Sequence, residues 1–148
     1  MSAPLLLDTC AVIWLVNAGP LPAEVIDLIR QAGKTEGVYV STASAWEIGL
    51  LSRPQSNQRR GPNRRPVPDF LPDARSWFDR LMALPGVKEA PITPAIAIDS
   101  SHLPGDLHSD PADRLIIATA RHLNMPIVTS DRKILDYAKA GHVNVIPC

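Results

Sequence analysis

Apolar residues along the chain fall into runs whose period changes from stretch to stretch, and the changes name the elements. "PLLLD" (4–8) is a short unbroken apolar run of the kind a buried strand shows, ending near Asp8. "TCAVIWLVNA" (9–18) is apolar on most sides, as a short buried helix is. "LPAEVIDLIRQAGKTEG" sets Val25, Ile26, Leu28 and Ile29 at helical spacing and closes on Gly33 and Gly37, which predicts a second helix. "VYVST" follows as a strand. In "ASAWEIGLLSR", Ala43, Trp46, Leu50 and Leu51 recur at three- and four-residue intervals, predicting a third helix that carries Glu47 beside an apolar stripe.

Periodicity then stops. "RPQSNQRRGPNRRPVP" (53–68) has Val67 as its one apolar side chain besides four prolines, and it reads as a loop. "DARSWFDRLMAL" resumes the helical pattern with Trp77, Phe78, Leu81 and Met82 facing inward. "GVKEAPIT" is a short extended piece and "PAIAIDSSHL" a further helix. From Asp110 a helix runs to about Asn124, followed by a strand "PIVTS", a helix "RKILDYAKA" ending at Gly141, and a last strand "VNVIP". Strands alternating with helices predict an α/β domain whose parallel sheet is covered on both faces.

The chain has 148 residues, 45% of them hydrophobic, enough for one domain with a real core and too few to expect two. Fifteen basic residues balance fifteen acidic ones, so any binding of nucleic acid must use a local patch. The strongly basic segment is the loop, where Arg53, Arg59, Arg60, Arg64 and Arg65 stand without an acid among them. Two cysteines, Cys10 and Cys148, form no metal-binding or disulfide pattern and suggest a reducing compartment, the cytoplasm. The apolar N-terminal stretch lacks a basic head and contains Asp8, so it reads neither as a signal peptide nor as a membrane span.

Candidate chemistry lies in the acids. Asp8 and Asp131 each follow an apolar strand and open a helix, which places both at the carboxyl ends of parallel strands, where open α/β sheets bind ligands. Asp110, followed by Pro111, fits an N-cap with proline at the first helical position, and Asp113 falls in the first turn, where a negative charge suits the helix dipole. Each aspartate alone is explained by capping, and Glu47 by a solvent-facing rotation of its helix. Together, four carboxylates on one rim would repel one another unless a hard cation such as Mg²⁺ or Mn²⁺ joined them, and the chemistry such a site serves is phosphoryl transfer.

"LLLDTCAVIWLV", "ASAWEIGL" and "DPADRLIIATARHLNMPIVTSD" together resemble the PIN-domain family, most closely its VapC-like toxins of type II toxin–antitoxin pairs. The resemblance runs from residue 5 to the C-terminus apart from the loop. It implies a three-layer α/β/α sandwich with a central parallel sheet and a metal-dependent endoribonuclease using Mg²⁺ or Mn²⁺ to activate water against an RNA phosphodiester. By the same resemblance Asp8, Glu47, Asp113 and Asp131 are the metal-holding and catalytic acids, Asp110 matches a recurrent additional acid, and Thr9 and Ser130 stand beside acids where they could orient ligands. The implied partners are an RNA substrate, a VapB-like antitoxin and a second copy of the chain in a homodimer. Relatives often carry a lysine-containing stretch and a short turn after the glutamate helix. Here the arginine-rich loop stands instead, so Arg59, Arg60, Arg64 and Arg65 are candidates for an RNA-backbone clamp, against a solvated linker or an antitoxin contact.

Rival readings have less behind them. A haloacid-dehalogenase-like phosphatase wants a second acid two residues after Asp8, where Cys10 stands, and no glycine-rich phosphate loop is present for a nucleotide-binding module. A non-catalytic PIN-like module that holds RNA or a partner chain is disfavoured because all four acidic positions are filled. His102, His108, His122 and His142 lack convergent spacing, with His108 nearest the acidic stretch. Trp14, Trp46 and Trp77 are expected to pack in the core, and Cys10 to be a small buried residue.

Overall fold

Leu5–Leu7 form β1, the centre of a five-stranded parallel sheet in the computed structural model. Residues 3–54, 68–107 and 109–148 are described; Arg59, Arg60, Arg64, Arg65 and His108, with the expectations placed on them, lie outside the described residues. The element order is β1, α1 (Thr9–Val16), α2 (Ala23–Lys34), β2 (Val38–Ser41), α3 (Thr42–Leu51), α4 (Ala74–Met82), β3 (Val87–Ala90), α5 (Pro94–Ser100), α6 (Pro111–Leu123), β4 (Ile127–Thr129), α7 (Arg132–Lys139) and β5 (Val145–Pro147). The strand order is β3-β2-β1-β4-β5. This is the α/β sandwich with a central parallel sheet that the alternating pattern predicts.

Two cores follow from the two faces of the sheet. Leu5 and Leu7 point to one side with Val38, Val40 and Val128, where Val12 of α1, Val25, Ile29 and Ala32 of α2, and Trp77 and Leu81 of α4 cover them. Leu6 and Ile127 point to the other, under Ile116, Ile117 and Ala120 of α6 and Ile134 and Tyr137 of α7. Such alternation is what the two-residue side-chain period of a strand imposes.

The chain leaves β1 first toward β2 and β3, and later returns on the opposite flank through β4 and β5. Strand order therefore reverses between β1 and β4, and a crevice at the carboxyl ends of these two neighbours is where a doubly covered parallel sheet takes ligands. Register fixes the crevice: Leu6 pairs with Ile127 and Leu7 with Val128, and the Asp8 amide donates to the Val128 carbonyl at 3.1 Å.

Two expectations need correction. Trp46 is 48% exposed; α3 buries Ala43, Ser44 and Ile48, which turns Trp46 outward. Gly33 does not close α2 but lies within it. An added Cβ there would stand 3.0 Å from the Pro85 carbonyl oxygen, so the glycine admits the turn into β3; Gly37, at φ +103°, makes the exit. No helix among the described residues is long and apolar enough to cross a membrane.

Candidate functional site

Three helices that start at the carboxyl edge of the sheet do so on an aspartate. Asp8, in extended backbone after β1, caps α1 by accepting the Ala11 amide at 2.9 Å. Asp110 caps α6 through the Asp113 amide at 3.1 Å, with Pro111 in the first helical turn. Asp131, after β4, caps α7 with one oxygen, Oδ1, which accepts the Lys133 amide at 2.8 Å and the Ile134 amide at 3.2 Å. Capping explains why the sequence breaks into helix at each acid, but it leaves open what else these carboxylates do.

Asp8 answers in part. It is 4% exposed, and its second oxygen accepts the Thr129 hydroxyl at 2.5 Å. Thr129, fully buried at the end of β4, in turn accepts the Asp131 amide at 3.0 Å, so one hydroxyl ties the first acid to the backbone of the last. Burial pushes the Asp8 carboxyl up to about 6, against the lowering effect of its two hydrogen bonds, and Asp113 and Asp131 add to the rise.

Glu47 enters from α3. Its Oε1 accepts the Thr9 hydroxyl at 2.5 Å, and the same hydroxyl lies 3.0 Å from Ser44 Oγ, one turn before Glu47 on the same face. Burial again acts first in pushing the Glu47 carboxyl up to about 7, with Asp113, Asp110 and Asp8 contributing. Thus Glu47 and all three caps belong to one electrostatic neighbourhood with Asp113, and the charges that weigh most on Asp8 and Glu47 are negative.

The donor set consists of carboxylate and hydroxyl oxygens, the chemistry of a hard divalent cation rather than a soft one, and a carboxylate as buried as Asp8 among other acids is the kind of group a cation would relieve. The residues present therefore fit Mg²⁺ or Mn²⁺. As they stand, no group of three or more His, Cys, Asp or Glu side chains among the described residues is placed to hold a metal ion; what the acids share is an electrostatic neighbourhood at the carboxyl edge of the sheet.

Some residues fall elsewhere than the sequence places them. Ser130 does not touch a carboxylate: its hydroxyl donates to Cys10 Sγ at 3.8 Å, while its neighbour Thr129 does the orienting. The residue paired in register beside Asp8 is the one that reaches it, and that register, Leu7 with Val128, is set by the fold. Ser44 joins the Thr9 hydroxyl because α3 turns it to the same buried side as Glu47. Cys10 is half-buried rather than buried, and both cysteines are free. His102 faces the Ile98 carbonyl at 3.0 Å and His142 packs on the Tyr137 ring, apart from the acids.

Comparison with known proteins adds an independent line. The PIN domain model matches residues 5–140. Ribonuclease VapC22 of Mycobacterium tuberculosis is 37% identical over 70 residues, which cover 47% of this chain and 52% of that protein, so the match spans about half the length of the curated relative. Among solved structures, VapBC2 from Rickettsia felis bound to a DNA fragment from its promoter superposes with a TM-score of 0.66 at 12% identity, covering 98% of both chains. FitAcB from Neisseria gonorrhoeae gives 0.54 at 19% identity and 96% of both chains. VapBC-5 from Mycobacterium tuberculosis gives 0.55 at 14% identity and 99% of both. At these identities the superpositions establish the shared fold.

Proposed function

The chain belongs to the PIN-domain family, and from that premise we propose that it is a metal-dependent endoribonuclease, the toxin of a toxin–antitoxin pair. The observation that carries the reading is the placing of the acids at the point where strand order reverses: Asp8 and Asp131 follow the neighbouring strands β1 and β4 and are joined through Thr129, Glu47 is tied to the start of α1 through Thr9, and Asp113 stands in the first turn of α6 behind the Asp110 cap. Ribonuclease activity is supported by the likeness to VapC22, and an antitoxin partner by the toxin–antitoxin complexes among the structural neighbours. Sparse, free cysteines fit a cytoplasmic site of action. A homodimer is the expected assembly.

Asp8, Glu47, Asp113 and Asp131 would hold the ion. Bound there, Mg²⁺ or Mn²⁺ would supply positive charge to a phosphodiester and lower the pKa of the attacking water. The chain's own contribution is to fix the oxygens. Thr129 orients Asp8 and Thr9 orients Glu47, so each carboxylate presents a defined edge, and second partners of this sort determine how well a ligand is aimed. Asp110 adds negative charge at the head of α6 and shapes the backbone on which Asp113 is mounted.

Incubating total RNA with purified protein in Mg²⁺, Mn²⁺ or EDTA, beside Asp8→Asn and Asp113→Asn, tests the assignment. Cutting that needs the metal and disappears in both variants is the expected result. Full activity in both variants would refute the site. Absence of cutting by a folded wild type across RNA substrates would favour the alternative, a non-catalytic RNA- or partner-binding module.

A further inference from the structure

Three tryptophans are present, and two have evident structural work. Trp77 is 1% exposed, donates its indole N–H to Asn17 at 3.0 Å and meets the Phe70 ring edge-on at 5.0 Å. Trp14 is half-buried and lies against the bare Cα of Gly19. Trp46 has neither role. It is 48% exposed, and its indole has no hydrogen bond or ring contact among the described residues.

Its place on α3 is what gives the exposure meaning. Successive helical residues advance about 100° around the axis, so positions 46, 50 and 53 share a face, and Leu50 and Leu51 flank the direction of Glu47 one turn further on. Leu50 is 45% and Leu51 38% exposed. Gly49, just before Leu50 and on the flank of Trp46 away from Glu47, would meet nothing within 4 Å if it carried a Cβ, so that flank of the indole is open. Arg53 continues the turn, its amide donating to the Leu50 carbonyl at 3.3 Å, and its side chain is exposed. The strip therefore reads aromatic, aliphatic, cation, and it begins one residue from a carboxylate of the acidic cluster.

We propose that Trp46, backed by Leu50, is a stacking platform for a nucleobase next to the phosphodiester held at the acidic cluster, with Arg53 meeting a neighbouring phosphate. This rests on the ribonuclease reading. A base is the occupant that the position selects, because in RNA each phosphodiester has a base within one nucleotide on either side, and because single-stranded nucleic acid is gripped by aromatic faces alternating with cations along its backbone. An unstacked base offers a flat apolar surface for the indole, and the following phosphate offers a negative charge for the guanidinium.

The test is a binding titration of fluorescently labelled single-stranded RNA in Mg²⁺, carried out in an Asp113→Asn background so that the RNA survives. Trp46→Ala is expected to raise Kd about tenfold, while Trp46→Phe, which keeps a ring, stays within about threefold. In the active protein Trp46→Ala should raise KM and leave kcat nearly unchanged, a split that a general loss of folding would not give. Since Trp46 is outside the core, both variants should melt with the wild type. An unchanged Kd in Trp46→Ala overturns the platform while leaving the nuclease intact. Unchanged RNA binding together with loss of a co-purifying protein would reassign the strip to protein docking. Failure of the wild type to bind or cut any RNA would overturn the ribonuclease reading, and the platform with it.

Discussion

Asp8 shows how one carboxylate combines two duties: Oδ1 caps α1 and Oδ2 takes the Thr129 hydroxyl, so the acid is rigid before any ligand arrives. Rigidity in a buried, negative place has a pH signature. Its pKa is raised from 3.8 to about 6 and that of Glu47 from 4.5 to about 7, in both cases chiefly by burial. Between about pH 4 and 7 the folded chain thus binds more protons than the unfolded chain, and stability contributed by these groups falls as pH rises through that window. For Asp8 the shift corresponds to about 3 kcal/mol; Glu47, more exposed, contributes less through solvent screening. Thermal melts in EDTA from pH 4 to 8 should show this loss flattened in Asp8→Asn, and Mg²⁺ at pH 7.5 should restore stability to the wild type. An identical pH slope in wild type and Asp8→Asn would remove the buried charge from the account. At this scale the sequence showed the acids, because aspartates after apolar runs announce helix starts at a strand edge. It did not show Thr129, Ser44 or the outward turn of Trp46, which depend on strand register and on which arc of α3 its neighbours cover.

Helix α6 illustrates what a single element encodes. Asp110 at the N-cap, Pro111 in the first turn, Asp113 after it, Arg121 and His122 in the last turn and Asn124 in left-handed backbone at φ 52° mark both ends, and each is a local preference readable without the fold. Asp110→Ala should cost about 1 kcal/mol, the usual loss of a capping oxygen, and lower the melting temperature by about 3 °C for a domain of this size. Asp110→Ser, which keeps an oxygen for the Asp113 amide but removes the charge, should recover most of that stability. Calorimetry on the pair separates capping from charge: if Ser is as damaging as Ala, the cap is not what Asp110 contributes. Helices with such marks were legible to within a residue or two. Strand order was not, because β1, β4 and β5 are three residues each and a short apolar run carries no record of its neighbour. "GVKEAPIT" reads only as an extended piece, yet β3 within it is the edge strand beside β2.

Across the whole molecule, equal numbers of acidic and basic residues leave no net field to draw RNA in, and the acidic cluster opposes a phosphate until a cation offsets it. Affinity must then come from cations set apart from the cluster. Exposed Arg53 begins the run that the sequence continues through Arg59, Arg60, Arg64 and Arg65. If those four arginines meet phosphates, replacing them with alanine should weaken RNA binding most at low salt. It should also reduce the slope of log Kd against log salt by up to about 3, from about 0.7 released counterions per contact on a single strand. At high salt the wild type and the variant should converge. The same variant separates substrate capture from chemistry: cleavage at saturating RNA should be nearly preserved, whereas Asp8→Asn should lose it at any concentration. A salt slope unchanged by the four substitutions would assign the arginines to a linker or a protein contact, and would leave Arg53 and the Trp46 strip to supply the grip on the RNA.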